Sequence, residues 1–250
     1  MKISVITAVL NGRETLPTTL ESLMAQTHQE VEHVVQDGGS TDGTVDYLRA
    51  HGHPAMSLVS APDTGIYDGI NNGIRRASGD VIGLLHADDH LVGPDVLAKV
   101  AAAMDDPQID GIYGDLQYVN RDDETRVVRH WKAGPFAQTN LKRGWMPPHP
   151  TLYLRREVFD RSGLYDTSYR ISGDYDGMLR FLTTGQVRLA YVPQVLVRMK
   201  MGGVSNRSFA HMIRKSREDY RAIKQHKIGG VGTLLAKNLS KLPQFGLRSS

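Results

Sequence analysis

Two stretches of this 250-residue chain end an apolar, β-branched run on carboxylates. One is His33-Val34-Val35-Gln36-Asp37 followed by Gly38-Gly39, the other Leu84-Leu85-His86-Ala87 followed by Asp88-Asp89. A carboxylate at the carboxyl end of a parallel strand is placed to accept hydrogen bonds from a ligand at the sheet edge. Gly38 and Gly39 permit a left-handed backbone and close approach of another molecule, and Ser40, Thr41 and Asp42 can cap a following helix. An Asx turn closed by Asp37 is the alternative. Adjacent acids such as Asp88 and Asp89 repel, and a divalent cation is one reason to hold them together. Oxygen ligands select Mg2+ or Mn2+, ions that bridge carboxylates to substrate phosphates. A plain loop needs no such ion.

The elements that must carry these acids alternate. Ile3 to Val9 is a continuous apolar run closed by Asn11-Gly12, as for a strand covered on both faces. Leu16, Leu20, Leu23 and Met24 recur at helical spacing behind Pro17. Strands ending at Asp37 and spanning 56–59 and 81–85 interleave with helices through Tyr47 and Leu48, over 69–78 and over 94–104. This rhythm predicts an α/β fold with a mainly parallel central sheet flanked by helices. Beyond residue 110, 112–119 and 126–131 read as a hairpin around the polar turn 120–124. Residues 134–150 read as a mobile surface loop, and helices are expected at 174–184 and 207–226, with a strand near 187–198 between them.

Composition bounds the rest. There is no cysteine, which excludes disulfides and thiolate metal sites and fits a reducing compartment. No run approaches the ~18 apolar residues of a membrane span, and the N-terminus reads as a first strand instead of a signal peptide. Residues 1–197 hold 18 Lys and Arg against 25 Asp and Glu, whereas 198–250 hold 12 against 2. A basic tail of this size seeks an anionic surface, or is a solvated helical face.

Five segments in order, VITAVLNG, VVQDGGSTDGT, APDTGIYDGINNGI, ASGDVIGLLHADD and SGDYDGMLRF, resemble the inverting family-2 glycosyltransferases of the GT-A (nucleotide-diphospho-sugar transferase) fold. The resemblance covers residues 1–200, with 1–105 as the nucleotide-sugar-binding half, 106–200 as the acceptor-binding half and 201–250 as a basic C-terminal helical extension. It implies a nucleoside diphosphate sugar donor, Mg2+ or Mn2+, and transfer to a hydroxyl with inversion. It further implies that Thr7 and Val9 line the nucleotide pocket, that Asp37 accepts from the base and that Asp63 lies near base or ribose. Asp89 holds the metal, with Asp88 on the ribose or the metal, Asp174 is the catalytic base and His149 meets the acceptor. Asp68 is as much a helix cap as a catalytic group. Gly38, His86 and Gly173 stand where relatives often carry acids.

Residues 209–227 form an amphipathic helix for which core packing is expected. Val231, Leu234, Leu235, Leu239 and Leu242 form a second stripe, beside Lys237 and Lys241, that suits a membrane interface over 228–248. The turn Met201-Gly202-Gly203-Val204-Ser205-Asn206 could close on the diphosphate through its amides. The expected acceptor is a glycan or polyprenyl-diphosphate-linked molecule in bacterial surface-glycan assembly. The expected location is cytoplasmic, peripheral at the inner face of the membrane. Nucleic acid is not expected, because aromatics interleaved with basic residues are sparse. The rivals are a sugar-1-phosphate nucleotidyltransferase, whose glycine-rich basic loop is missing from TAVLNGRETL, and a catalytically degenerate nucleotide- or glycan-binding module.

Overall fold

The computed structural model describes residues 1–201 and 209–240; the turn expected at 202–206 and residues 241–248 lie outside them. In chain order the elements are β1 (Ile3–Val9), α1 (Leu16–Met24), β2 (Val31–Asp37), α2 (Thr44–His51), β3 (Met56–Ser60), α3 (Ile66–Arg76), β4 (Val81–Leu84), β5 (Asp89–Leu91) and α4 (Val96–Ala103). Then come β6 (Gly111–Val119), β7 (Val127–Trp131), α5 (Gln138–Leu141), a 3-10 turn (His149–Thr151), β8 (Tyr153–Arg155), α6 (Arg156–Ser162), α7 (Gly173–Thr183), β9 (Leu189–Lys200), α8 (Phe209–Gln225) and α9 (Val231–Leu239).

β1 is buried at every position, which the unbroken apolar run requires. Its alternate side chains feed opposite cores. Ile3 and Val5 pack with Val96, Leu97 and Val100 of α4, and Ile6 and Ala8 with Ile70 and Ile74 of α3 and with α7. The strands form one sheet in the order β3-β2-β1-β4-β8-β6-β9-β5, with β7 alongside β6. The parallel reading holds for β3-β2-β1-β4 and for β6 with β9. Elsewhere β8 runs antiparallel to β4 and β6, and β5 to β9, while β7 runs antiparallel to β6 as the expected hairpin requires. The short turn between β6 and β7 cannot supply the crossover that a parallel pair needs. The sheet is therefore mixed.

Residues 134–150 are not simply a surface loop. Leu141 and Pro147 to Pro150 are buried, and Trp145 donates its indole N–H to the Ala133 carbonyl at 2.9 Å. The C-terminal helices dock on α7. Ala222, Ile223 and Ile228 join its core, and His226 hydrogen-bonds Asp176 at 2.9 Å. Lys237 was expected to face lipid from α9, but it is 3% exposed and turns inward. It pairs with Asp219 at 2.7 Å and lies 3.2 Å over the Tyr175 ring. A buried carboxylate left without that ammonium would be costly, which explains the inward turn. Among the described residues no helix is long and apolar enough to cross a membrane.

Candidate active site

The strand ends of the first half and the helices of the second enclose a cleft of about 560 Å3. Val9 and Asn11 after β1, His86 and Asp88 after β4, Tyr67 on α3, and His149 and Asp174 from the second half all line it. Asp88 and Asp174, 86 positions apart in the chain, thus share one cavity.

The two acids after β4 part company. Asp88 lines the cleft and enters no hydrogen bond or ion pair among the described residues. Asp89 opens β5, is fully buried and does not line the cleft; neither carboxylate oxygen has a partner. Burial first, then the charge of Asp88, push its carboxyl well above the usual range, against the pull of Lys200. The expectation that Asp89 grips the metal is corrected, because Asp88 lies in the turn at 87–88 whereas Asp89 is the first residue of β5, held in register with Met199 of β9. Among the described residues no three His, Cys, Asp or Glu side chains form a cage for a metal ion. One free carboxylate still fits Mg2+ or Mn2+, ions that take one or two carboxylates and complete their shell with substrate phosphate and water. The His86 imidazole in the same cleft would admit Mn2+ more readily than Mg2+.

Asp174 sits in the first turn of α7, where the helix dipole favours a carboxylate. Tyr67 places its phenol oxygen 2.6 Å from the Ile171 carbonyl, to which it donates, and 3.3 Å from Oδ1 of Asp174. Burial, then the Asp174 charge, raise the phenol pKa, so Tyr67 keeps its proton. Gly173 stands where the resemblance leads one to expect an acid. A Cβ there would stand 2.8 Å from the Tyr67 ring, so the ring occupies that space. The loop ahead of α7 is tied down from α8, where the Glu218 carboxylate accepts the N–H groups of Arg170, Ile171 and Ser172 at 3.1, 2.8 and 2.9 Å.

His149 is buried in the 3-10 turn, with its ring 5.7 Å from that of His86 and its Nε2 3.2 Å from the Tyr165 hydroxyl. Burial lowers its pKa to about 4, aided by His86 and opposed by Asp174. The imidazole is neutral near pH 7.

Asp37 and Asp63 are spent differently. Oδ2 of Asp37 accepts the N–H groups of Gly39 and Ser40, both at 3.0 Å, and the Ser60 hydroxyl at 2.6 Å, while Oδ1 accepts the Ser40 hydroxyl. Burial would raise its pKa, but these bonds outweigh it and hold the carboxyl below its ordinary value. Asp37 thus closes its own loop and does not line the cleft. Asp63 lies beside it: a Cβ on Gly38 would meet Oδ2 of Asp63 at 2.7 Å. Burial, and the charges of Asp68 and Asp37, raise the Asp63 pKa. Asp68, in the first turn of α3, accepts the Thr64 N–H and hydroxyl, both at 3.0 Å. Thr7 is also corrected. It is fully buried, its hydroxyl donates to the Leu85 carbonyl at 2.8 Å and contacts His33 Nε2 at 3.0 Å, and it stays outside the cleft.

The cleft also holds groups that sequence reasoning left aside: Tyr67, Arg121 from the β6–β7 turn, Arg170, Lys200 and His211. Tyr67 lay inside the segment APDTGIYDGINNGI without being chosen. The cations come from turns and a strand end far apart in the chain, and no local pattern marks them.

Residues 4–164 match the family described as Glycosyl transferase family 2. A PGL/p-HBAD biosynthesis glycosyltransferase of Mycobacterium bovis is 33% identical over 208 residues, covering 81% of this chain and 78% of that protein. The mannosyltransferase PcManGT from Pyrobaculum calidifontis, solved with GDP-Man and Mn2+, superposes with a TM-score of 0.68 at 22% identity, over 98% of this chain and 73% of that one. TarS of S. aureus gives 0.68 at 17% identity, over 100% and 76%. The mixed sheet and its flanking helices are the GT-A fold of these structures, and the chain belongs to glycosyl transferase family 2.

Proposed function

We propose that this chain moves a sugar from a nucleoside diphosphate sugar to an acceptor hydroxyl in a single displacement with inversion. The observation that carries the reading is one cavity lined by two acids available for chemistry, Asp88 and Asp174. Asp174 accepts the acceptor's proton as its oxygen attacks the anomeric carbon; the bond from that carbon to the diphosphate breaks, and the nucleoside diphosphate leaves. Tyr67 fixes the Ile171 backbone beside that carboxylate. Asp88 is the residue that would hold Mg2+ or Mn2+, with His86 as its neighbour. When bound, the ion neutralises charge developing on the leaving diphosphate. Arg121, Arg170 and Lys200 add positive potential around an anionic donor. Val9 lines the nucleotide end, and Asp37 and Asp63 shape the base side behind Gly38.

His149, neutral and in the cavity, meets the acceptor. The acceptor class we favour is a lipid-linked or surface glycan in bacterial polysaccharide or glycolipid assembly, at the inner face of the membrane. The mycobacterial relative's name supports a glycolipid. The domain division follows: 1–105 serves the donor and 106–200 the acceptor. A catalytically degenerate nucleotide- or glycan-binding module is the alternative, and turnover in the screen below decides between them.

A donor screen reading nucleoside diphosphate release with Mg2+ or Mn2+ tests the reading, with Asp88→Asn and Asp174→Asn as controls. Release that depends on both acids supports it. Pyrophosphate release, or binding without turnover across the screen, refutes it.

A further inference from the structure

Of the ten large apolar side chains that stand exposed among the described residues, six are on α8 and α9: Met212, Ile213, Tyr220, Val231, Leu235 and Leu239. Four of these six lie together. Met212, Ile213 and Tyr220 share with Val231 and Leu234 a shallow groove of about 480 Å3, with Arg217 on its wall. A patch of this kind, rimmed by charge, marks an interaction surface.

The charges around it have one sign. Residues 198–250 contain two acids, Glu218 and Asp219, and both are used on the inner side, Glu218 on the loop before α7 and Asp219 on Lys215 and Lys237. Arg214, Arg217, Lys224 and Lys227 are exposed and enter no ion pair among the described residues. An apolar stripe beside uncompensated cations matches the anionic interface of a bilayer. A two-fold pairing with a second copy would set the same cationic rim against itself. One turn of α8 joins this face to the cleft, since His211 lines the cleft and Met212 and Ile213 line the groove.

We propose that the α8–α9 face docks on an anionic lipid surface and so holds the cleft mouth at the bilayer, where a lipid-borne acceptor hydroxyl meets Asp174. The acceptor clause rests on the transferase reading; the docking itself does not.

Flotation of the full chain with phosphatidylcholine vesicles, with and without phosphatidylglycerol, tests it. The chain should float with the anionic vesicles and not with the neutral ones, and should be released by high salt. Met212→Gln with Leu235→Gln, and separately Arg217→Glu with Lys224→Glu, should each weaken partitioning by about tenfold or more. Donor hydrolysis without acceptor should be unchanged in both, which also shows that they fold. Equal flotation with neutral vesicles, no flotation with either, or flotation unaltered in both double variants overturns the proposal. So does a dimer in sedimentation that the Met212→Gln, Leu235→Gln pair splits, which would give the face to a second copy. Flotation needs no substrate, so an inactive chain that floats sinks only the transferase reading, and an active chain that does not float sinks only the docking.

Discussion

The end of β2 and the start of α7 treat their carboxylates in opposite ways. At the end of β2, Asp37 accepts four hydrogen bonds from Gly39, Ser40 and Ser60 and is sealed from solvent. At the start of α7, Asp174 has a single long contact from Tyr67 and opens onto the cleft. A carboxylate whose lone pairs are consumed by its own loop holds a shape. One that is undersupplied with donors and wetted keeps the capacity to take a proton or a cation. The contrast recurs one residue apart, where Asp88 opens onto the cleft and Asp89 is enclosed.

The largest expected effect follows directly. Asp174→Asn should lower transfer by about 10^2- to 10^4-fold with unchanged thermal stability, read from initial rates and a melting curve. Near-normal rates would erase the contrast at the start of α7. Asp88→Asn should cost about 10^2-fold or more and abolish stimulation by Mn2+, assayed by metal titration. Asp37→Ala should invert the pattern. With two amides and two hydroxyls losing their acceptor, stability should fall by ~1–3 kcal/mol in a denaturant titration, ahead of any direct effect on chemistry.

That pattern also marks what the sequence could and could not reveal. The strand-then-acid motif put Asp37, Asp88 and Asp89 at strand ends because an unbroken apolar run and its terminus are local features. Which of two adjacent acids faces the cleft is set by where the turn at 87–88 ends and β5 begins, and that boundary is fixed by pairing with β9, distant in the chain, instead of by any local pattern. Thr7 was assigned to the ligand because its neighbours matched a motif, yet its hydroxyl is held by Leu85 and His33, 78 and 26 positions away. Lys237 turned inward because Asp219 and the Tyr175 ring wait for it, a pairing that helical periodicity cannot show. Periodicity did find both C-terminal helices, and local alternation found the β6–β7 hairpin.

The two glycines sharpen the comparison at intermediate cost. Gly173→Asp places an acid there, but its Cβ would meet the Tyr67 ring at 2.8 Å. The ring is buried and packs on Tyr165, so it cannot move freely. Overpacking of this kind should cost ~1–3 kcal/mol and displace Tyr67 from Ile171, with kcat falling more than donor KM rises. Gly38→Asp meets Oδ2 of Asp63 at 2.7 Å, the free end of a partly exposed side chain. It should therefore be tolerated better and act chiefly on donor KM, through a third negative charge beside Asp37 and Asp63.

Each region also holds one buried histidine, and these give the smallest effect, visible only in acid. Burial, then the neighbouring His53, lower the His33 pKa from 6.5 to about 3, and its Nε2 meets the Thr7 hydroxyl at 3.0 Å. The folded state refuses a proton that the unfolded chain accepts below pH 6.5, so stability drops as pH falls through 6.5, until folded His33 itself protonates near 3. His33→Gln keeps an N–H for Thr7 and removes that proton. Against the parent, whose stability declines by up to ~1.4 kcal/mol per pH unit on this account, its denaturant midpoint should fall less steeply between pH 6.5 and 4 and differ little at pH 7. His149→Asn should flatten the same window in the other region, since burial first, then His86, hold that imidazole at about 4. Parallel slopes for His33→Gln and the parent between pH 6.5 and 4 would overturn this account, since Asp37 cannot supply acid sensitivity there: its carboxyl is held below its ordinary value, and its contribution is lost only at lower pH, as the carboxylate itself takes up a proton.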